Sequence, residues 1–264
     1  MTRAPILRRS CLMAALLIAT SALAASDPQP APPGAFAGAP PQFTRFTAAE
    51  LTRGFMALAF GSDLRVGVRP KGIRRFERDI GVFISSAASV DRKAAMQAIV
   101  AEYGTRLPQL RIASAADEDT ADLVVHLIDE KNFRSALEQA FGHDIARAFV
   151  ARTDPQCMTS VKSQSSGEIV RAVSFIIVDK GDKVFLDCAY HELLHAFGLS
   201  NHDQGNPWTT LNQKRMVGYL GVYDRALISL LYDPRLKPGM TRAEVRRLLP
   251  ELIGDLDRGG PGRP

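Results

Sequence analysis

Cysteine, tryptophan and histidine are scarce in this chain, and the scarcity narrows what it can be. Its 264 residues include three cysteines, one tryptophan and five histidines. The absence of any Cys-x-x-Cys pair argues against a knuckle-type structural zinc site. No apolar run reaches the ~20 residues that a membrane-spanning helix needs. No basic stretch interleaved with aromatics is present, so nucleic acid is not an expected partner. No internal repeat marks a solenoid.

The formal charge of +5 belongs largely to the first segment. The chain begins "MTRAPILRRSCLMAALLIATSALAAS", with Arg3, Arg8 and Arg9, an apolar run from Cys11 to Ala19, and Ala22-Leu23-Ala24 as a small-x-small cleavage site. This predicts a signal peptide over residues 1–24 and a periplasmic or secreted protein with no membrane span after its removal. Arg8-Arg9 suits twin-arginine export or an ordinary basic leader. Cys11 lies too early to be a lipidation site. Cleavage removes three arginines and no acid, leaving 30 basic against 28 acidic residues, a formal +2. It also leaves just Cys157 and Cys188 in an oxidising compartment, either as a disulfide or as two separate buried thiols.

Residues 25–42, rich in Pro, Ala and Gly with almost no apolar bulk, read as a flexible linker, and 257–264 as a frayed tail. Between them, 43–256 has the length of one domain. Thr47-Ala-Ala-Glu50 has capping-box spacing and predicts a helix over about 47–60. Strands are expected at 64–70, 80–85, 121–129 and 168–179. Helices are expected at 94–103, 131–151, 223–232 and 241–252. The order is α+β.

The histidines carry the chemistry. "HELLHAFGLSNH", residues 191–202, holds three of the five. From Asp187, a candidate N-cap, to Gly198, a natural breaker, the pattern predicts a helix of about three turns. His191 and His195 then share a face, close enough for both imidazoles to reach one zinc ion. Glu192 points beside the metal, where a carboxylate can take a proton from water. Gly198 reverses the chain and brings His202 toward the open side, so that three protein ligands and a water complete a catalytic tetrahedron. The competing reading is an amphipathic helix with surface histidines, since Leu193, Leu194 and Phe197 supply a core face regardless. His126 reads as a sheet histidine and His143 as a loop residue, both outside the site.

The motif resembles that of the metzincin peptidases, His-Glu-x-x-His-x-x-Gly-x-x-His. His191, Glu192, His195 and Gly198 match; His202 falls one residue late, leaving Asn201 at the expected place and Asp203 as the fallback ligand. The resemblance implies a methionine turn, for which Met216 is the candidate, with core packing as its alternative. It also implies a closing helix at "VYDRALISLLYDP". Tyr219 is either a substrate-polarising or a structural tyrosine. "CAYHELLHAFGLSNH" together with "LISLLYDPRLKPGMTRAEV" resembles domain-of-unknown-function family 2927, over about 43–252. Members of that family often carry Glu-Glu-x-x-Gln in place of His191, Glu192 and His195, and an aspartate in place of His202. The family resemblance therefore implies a zincin-like fold, with a mixed sheet, a metal-binding helix and C-terminal closing helices, without implying the metal. The strand at 168–179 would be the edge strand that receives a peptide, and a Cys157–Cys188 bridge would pin the metal helix to the loop before it.

The expected function is an exported zinc metallopeptidase acting on peptide or protein substrates. Its ligands are His191, His195 and His202, with Glu192 as general base. The alternatives are a non-catalytic envelope module holding a peptide on its sheet edge, and amide hydrolysis on a cell-wall component.

Overall fold

The computed structural model describes residues 28–61, 71–153 and 155–258. The expected signal peptide, the strand at 64–70 and the last six residues of the tail lie outside them. Among the described residues no helix is long and apolar enough to cross a membrane.

Thr47 caps α1 (Ala48–Phe60): its side chain accepts from the Glu50 N–H while the Glu50 carboxylate accepts from the Thr47 N–H, the expected capping box. The chain continues through β1 (Ile80–Ser86), α2 (Lys93–Arg106), β2 (Ile112–Ser114), β3 (Leu123–Ile128), α3 (Glu130–Phe141), α4 (His143–Thr153), β4 (Cys157–Ser163), β5 (Ile169–Ile177), α5 (Asp182–Ala196), α6 (Val222–Leu231) and α7 (Arg242–Asp257). The architecture is α+β, a five-stranded mixed sheet with seven helices among the described residues.

The sheet runs β2-β1-β3-β5-β4, with β2, β1, β3 and β5 parallel and β4 antiparallel at the edge. Period-two alternation splits it between two cores. Leu123, Val125, Leu127, Ala172 and Ile176 face the larger core, which includes residues of α1, α2, α5, α6 and α7. Phe175 and Ile177 face a smaller core closed by Phe133 and Leu137 of α3 and Ala146 of α4.

Several expectations are corrected. The strand that precedes the histidine-bearing helix is not the edge: β5 lies between β3 and β4, and the edge is β4, whose polar "CMTSVKS" has too weak an alternation to announce a strand. The helix expected over 131–151 breaks at Gly142 (φ 86°), whose N–H closes onto the Glu138 carbonyl, and restarts as α4. The histidine-bearing helix α5 begins at Asp182 after Gly181, not at Asp187. Asp187 sits mid-helix because its carboxylate accepts the Val217 and Gly218 N–H groups of a separate loop (2.6 and 3.2 Å). Asp257, read as tail, still belongs to α7.

The Pro/Ala-rich segment, read from composition as a flexible linker, packs from residue 28 onward. Gln29 and Gln42 exchange backbone hydrogen bonds (2.8 and 2.9 Å), closing a loop between them. Phe36, 9 % exposed, seats against Gly218, and the Lys183 ammonium stands 5.5 Å from its ring. The Tyr219 hydroxyl donates to the Pro40 carbonyl (2.8 Å), which gives that tyrosine a structural partner. Phe36 supplies the apolar anchor that averaging over the segment conceals.

Candidate metal centre

One helical turn separates His191 from His195 on α5, and their Nε2 atoms lie 3.1 Å apart. The third imidazole arrives by chain reversal. Gly198 ends the helix at φ 115°, a region that side-chain-bearing residues rarely adopt, and a Cβ there would stand 2.1 Å from the Arg74 carbonyl oxygen. The reversal brings His202 Nε2 to 2.8 Å from His191 Nε2 and 3.1 Å from His195 Nε2.

The neighbours of His202 show why it, and neither Asn201 nor Asp203, completes the triad. Asn201 Nδ2 donates to the Ala57 carbonyl (3.0 Å) and Ser200 Oγ to the Gly61 carbonyl (3.1 Å). Both close off the C-terminal end of α1, where helix carbonyls lack partners. The Asp203 carboxylate accepts the Gly205 N–H (3.2 Å) within its own loop. Among the described residues these three histidines are the group of potential ligands that converges.

Two of the imidazoles, those of His191 and His195, are held in one tautomer by backbone. His191 Nδ1 lies 2.8 Å from the Thr210 carbonyl and His195 Nδ1 2.6 Å from the Leu199 carbonyl. A carbonyl only accepts, so each Nδ1 carries the hydrogen and each Nε2 presents a lone pair. Burial lowers His191 to about 4, His195 to about 3 and His202 to about 4; the His191 and Arg74 charges push His195 down further. All three are therefore neutral at pH 7. The His191 and His195 lone pairs converge beside His202 Nε2, an arrangement that a cation between the three nitrogens would satisfy.

Glu192 meets the same conclusion from another side. It is 3 % exposed, and its Oε2 is buried with no hydrogen-bond partner. Burial pushes its carboxyl up to about 8; the adjacent Thr159 hydroxyl pulls it down and the Asp187 charge raises it. An orphaned carboxylate oxygen is expensive to bury, and a nearby cation supplies the compensation it lacks. Three neutral imidazole nitrogens with a carboxylate beside them fit zinc with an open coordination position.

The wall of the site is β4. Cys157 and Cys188 form a disulfide (S–S 2.06 Å) joining this strand to α5. Two residues on, Thr159 Oγ1 donates to the Glu192 carbonyl (3.2 Å) and shares a hydrogen bond with Ser174 Oγ (2.7 Å). Met216 is half-buried. His126 stacks on Phe175 at 4.8 Å, in the sheet and away from the triad.

Sequence reasoning missed the carbonyls of Thr210 and Leu199, because a backbone group that orients an imidazole leaves no residue-type signature. No curated protein and no solved structure matches the chain. A family model described as "Protein of unknown function (DUF2927)" matches residues 48–251, from the first turn of α1 into α7, a span that encloses the triad, Glu192 and the whole sheet; the chain belongs to that family.

Proposed function

We propose that this protein is an exported zinc-dependent metallopeptidase with a zincin-like fold. The observation that carries the reading is the convergence of three histidine Nε2 atoms beside the buried, unpartnered carboxylate oxygen of Glu192. His191, His195 and His202 would hold the metal. When bound, zinc supplies a Lewis acid that acidifies water and polarises a carbonyl. Glu192 takes the proton of the attacking water and delivers it to the leaving amine. Its carboxyl near pH 8 in the buried site falls once a cation stands beside it, which readies it as a base at neutral pH.

The wall of the site supports a peptide as the substrate class. Among the described residues β4 has a sheet partner on one side only. The Ile177 N–H bonds the Gln156 carbonyl, so by alternation the backbone groups of Cys157, Thr159 and Val161 point away from β5. An extended peptide can pair with them as a further strand, and Thr159 connects this edge to Glu192.

The test is cleavage of an unbiased peptide library by zinc-loaded wild type and by Glu192→Gln. Chelator-sensitive cleavage, lost in the variant with zinc still bound, supports a peptidase. The edge of β4, unpaired among the described residues, also favours a second reading, a non-catalytic module that holds a peptide there. A zinc-loaded wild type that cleaves nothing, yet captures a partner whether or not metal is present, would replace the first reading with the second.

A further inference from the structure

Two of the three imidazoles depend on one short turn, and that turn depends on one buried acid. His191 Nδ1 donates to the Thr210 carbonyl (2.8 Å). The next carbonyl, of Leu211, accepts the N–H of Asp203, the residue that follows His202 (3.1 Å). The turn itself hangs from α6. Asp224, 0 % exposed, accepts the Thr209 hydroxyl through Oδ1 (2.5 Å) and the Thr210 N–H through Oδ2 (2.9 Å). Thr209 Oγ1 in turn accepts the Leu211 N–H (3.1 Å).

The polarity of these links is fixed. An N–H only donates, so Thr209 Oγ1 receives the Leu211 hydrogen and Asp224 Oδ2 that of Thr210; with the carboxyl ionised at pH 7, Oδ1 takes the Thr209 hydroxyl hydrogen. Both oxygens of Asp224 therefore act as acceptors. Every residue of α6 from Val222 to Leu231 is buried, and burial lifts the Asp224 carboxyl to about 6. An apolar side chain would pack there without that penalty. What the carboxylate achieves is to fix residues 209–211, and those residues aim His191 and place the segment carrying His202.

We propose that Asp224 is a positioning residue of the metal centre: through the Thr209–Leu211 turn it orients His191 and His202 and so sets the affinity for the metal. This rests on the reading of the triad as a metal site. Outer partners of metal-bound histidines typically contribute about 10- to 100-fold in metal affinity.

The test is zinc binding by the mature protein with intact disulfide, measured with Zn²⁺ alone in competition with a chromophoric chelator. Wild type, Asp224→Asn, Thr209→Val and His191→Ala are compared, with the Asp224→Asn/His191→Ala double variant. Asp224→Asn keeps the shape and loses one acceptor; Thr209→Val keeps the volume and loses the hydroxyl. The expected result is one zinc per wild-type chain and about 10- to 100-fold weaker binding by Asp224→Asn. Thr209→Val should shift the same way, and the effect of Asp224→Asn should shrink when His191 is already gone.

Nitrogen-15 NMR of the metal-free protein supplies a readout that general destabilisation does not move: His191 is Nδ1–H in wild type and a tautomer mixture in Asp224→Asn. Wild-type affinity and an unchanged tautomer in both folded variants would overturn the proposal while leaving the metal site standing. If Asp224→Asn does not fold, Thr209→Val decides alone. A wild type that binds no zinc overturns the metal reading and this one with it.

Discussion

His191 and His202 are eleven residues apart in the chain, yet their Nε2 atoms stand 2.8 Å from each other. Helical periodicity accounts for His191 and His195; the third nitrogen comes from the reversal at Gly198. The expected stoichiometry is one zinc per chain by elemental analysis, lost in His195→Ala. His202→Ala should weaken binding severely, whereas Asp203→Asn should leave it unchanged, because that carboxylate is engaged with the Gly205 N–H. Loss of zinc in Asp203→Asn would contradict the ligand assignment.

Gly198→Ala should be far more damaging than its size suggests. The new Cβ meets the Arg74 carbonyl at 2.1 Å and a backbone at φ 115°. Strain of this kind costs on the order of 1–3 kcal/mol, with the clash added. Denaturant unfolding should show the loss, and zinc affinity should fall with it as His202 moves away. Wild-type stability in this variant would sink the account of the reversal.

Glu192→Gln separates chemistry from binding. Glutamine fills the same space without titrating, so zinc content should match wild type while any chelator-sensitive peptide cleavage drops by at least about 100-fold, the scale of general-base catalysis. Retained cleavage would remove Glu192 from the role of base.

Asp187 predicts a pH effect in the metal-free protein. Burial lifts its carboxyl to about 6, although the N–H groups of Val217 and Gly218 pull it down. Its folded value therefore lies above the unfolded one. Between about pH 4 and pH 6 the native state keeps a proton that the unfolded chain has lost, so this group's contribution to stability is lost as pH rises. Asp187→Asn does not titrate. The stability of the variant relative to wild type should rise by about 2 kcal/mol from pH 4 to pH 7, measured by urea unfolding at both. A difference independent of pH would refute the assignment.

The Cys157–Cys188 bridge closes a loop of sequence separation 31 and ties the edge strand β4, the proposed peptide-binding edge, to α5. Cys157→Ser/Cys188→Ser should lose about 2–4 kcal/mol of stability. It should also bind peptide more weakly than wild type at equal zinc occupancy, because β4 is then held to α5 only through packing and the Thr159 hydrogen bond. Equal peptide binding would show that the bridge serves stability alone.

The helices were largely legible in the sequence because their signals are local. The Thr47 capping box lies within four residues of chain, and the apolar spacing of α6 and α7 repeats within a few turns. β4 was not legible: its residues are partly polar, and its pairing with β5 depends on contacts across a turn rather than on alternation. The packed loop at 28–42 was missed for a related reason, since a single Phe36 against Gly218 outweighs a composition that otherwise favours disorder.

The sequence by itself determined the donor set. The i, i+4 spacing of His191 and His195, Glu192 next to the first, a glycine at 198 and a histidine just beyond are chain-local facts that helix geometry converts into proximity. The tertiary structure alone decided which residue after Gly198 turns inward: Asn201 and Ser200 are committed to the end of α1, and that leaves His202 facing the other imidazoles. It alone decided the tautomers, because the Thr210 and Leu199 carbonyls that fix them are backbone atoms brought there by folding. Side-chain identity is written along the chain, but the direction in which a side chain points is set by partners that are distant in sequence.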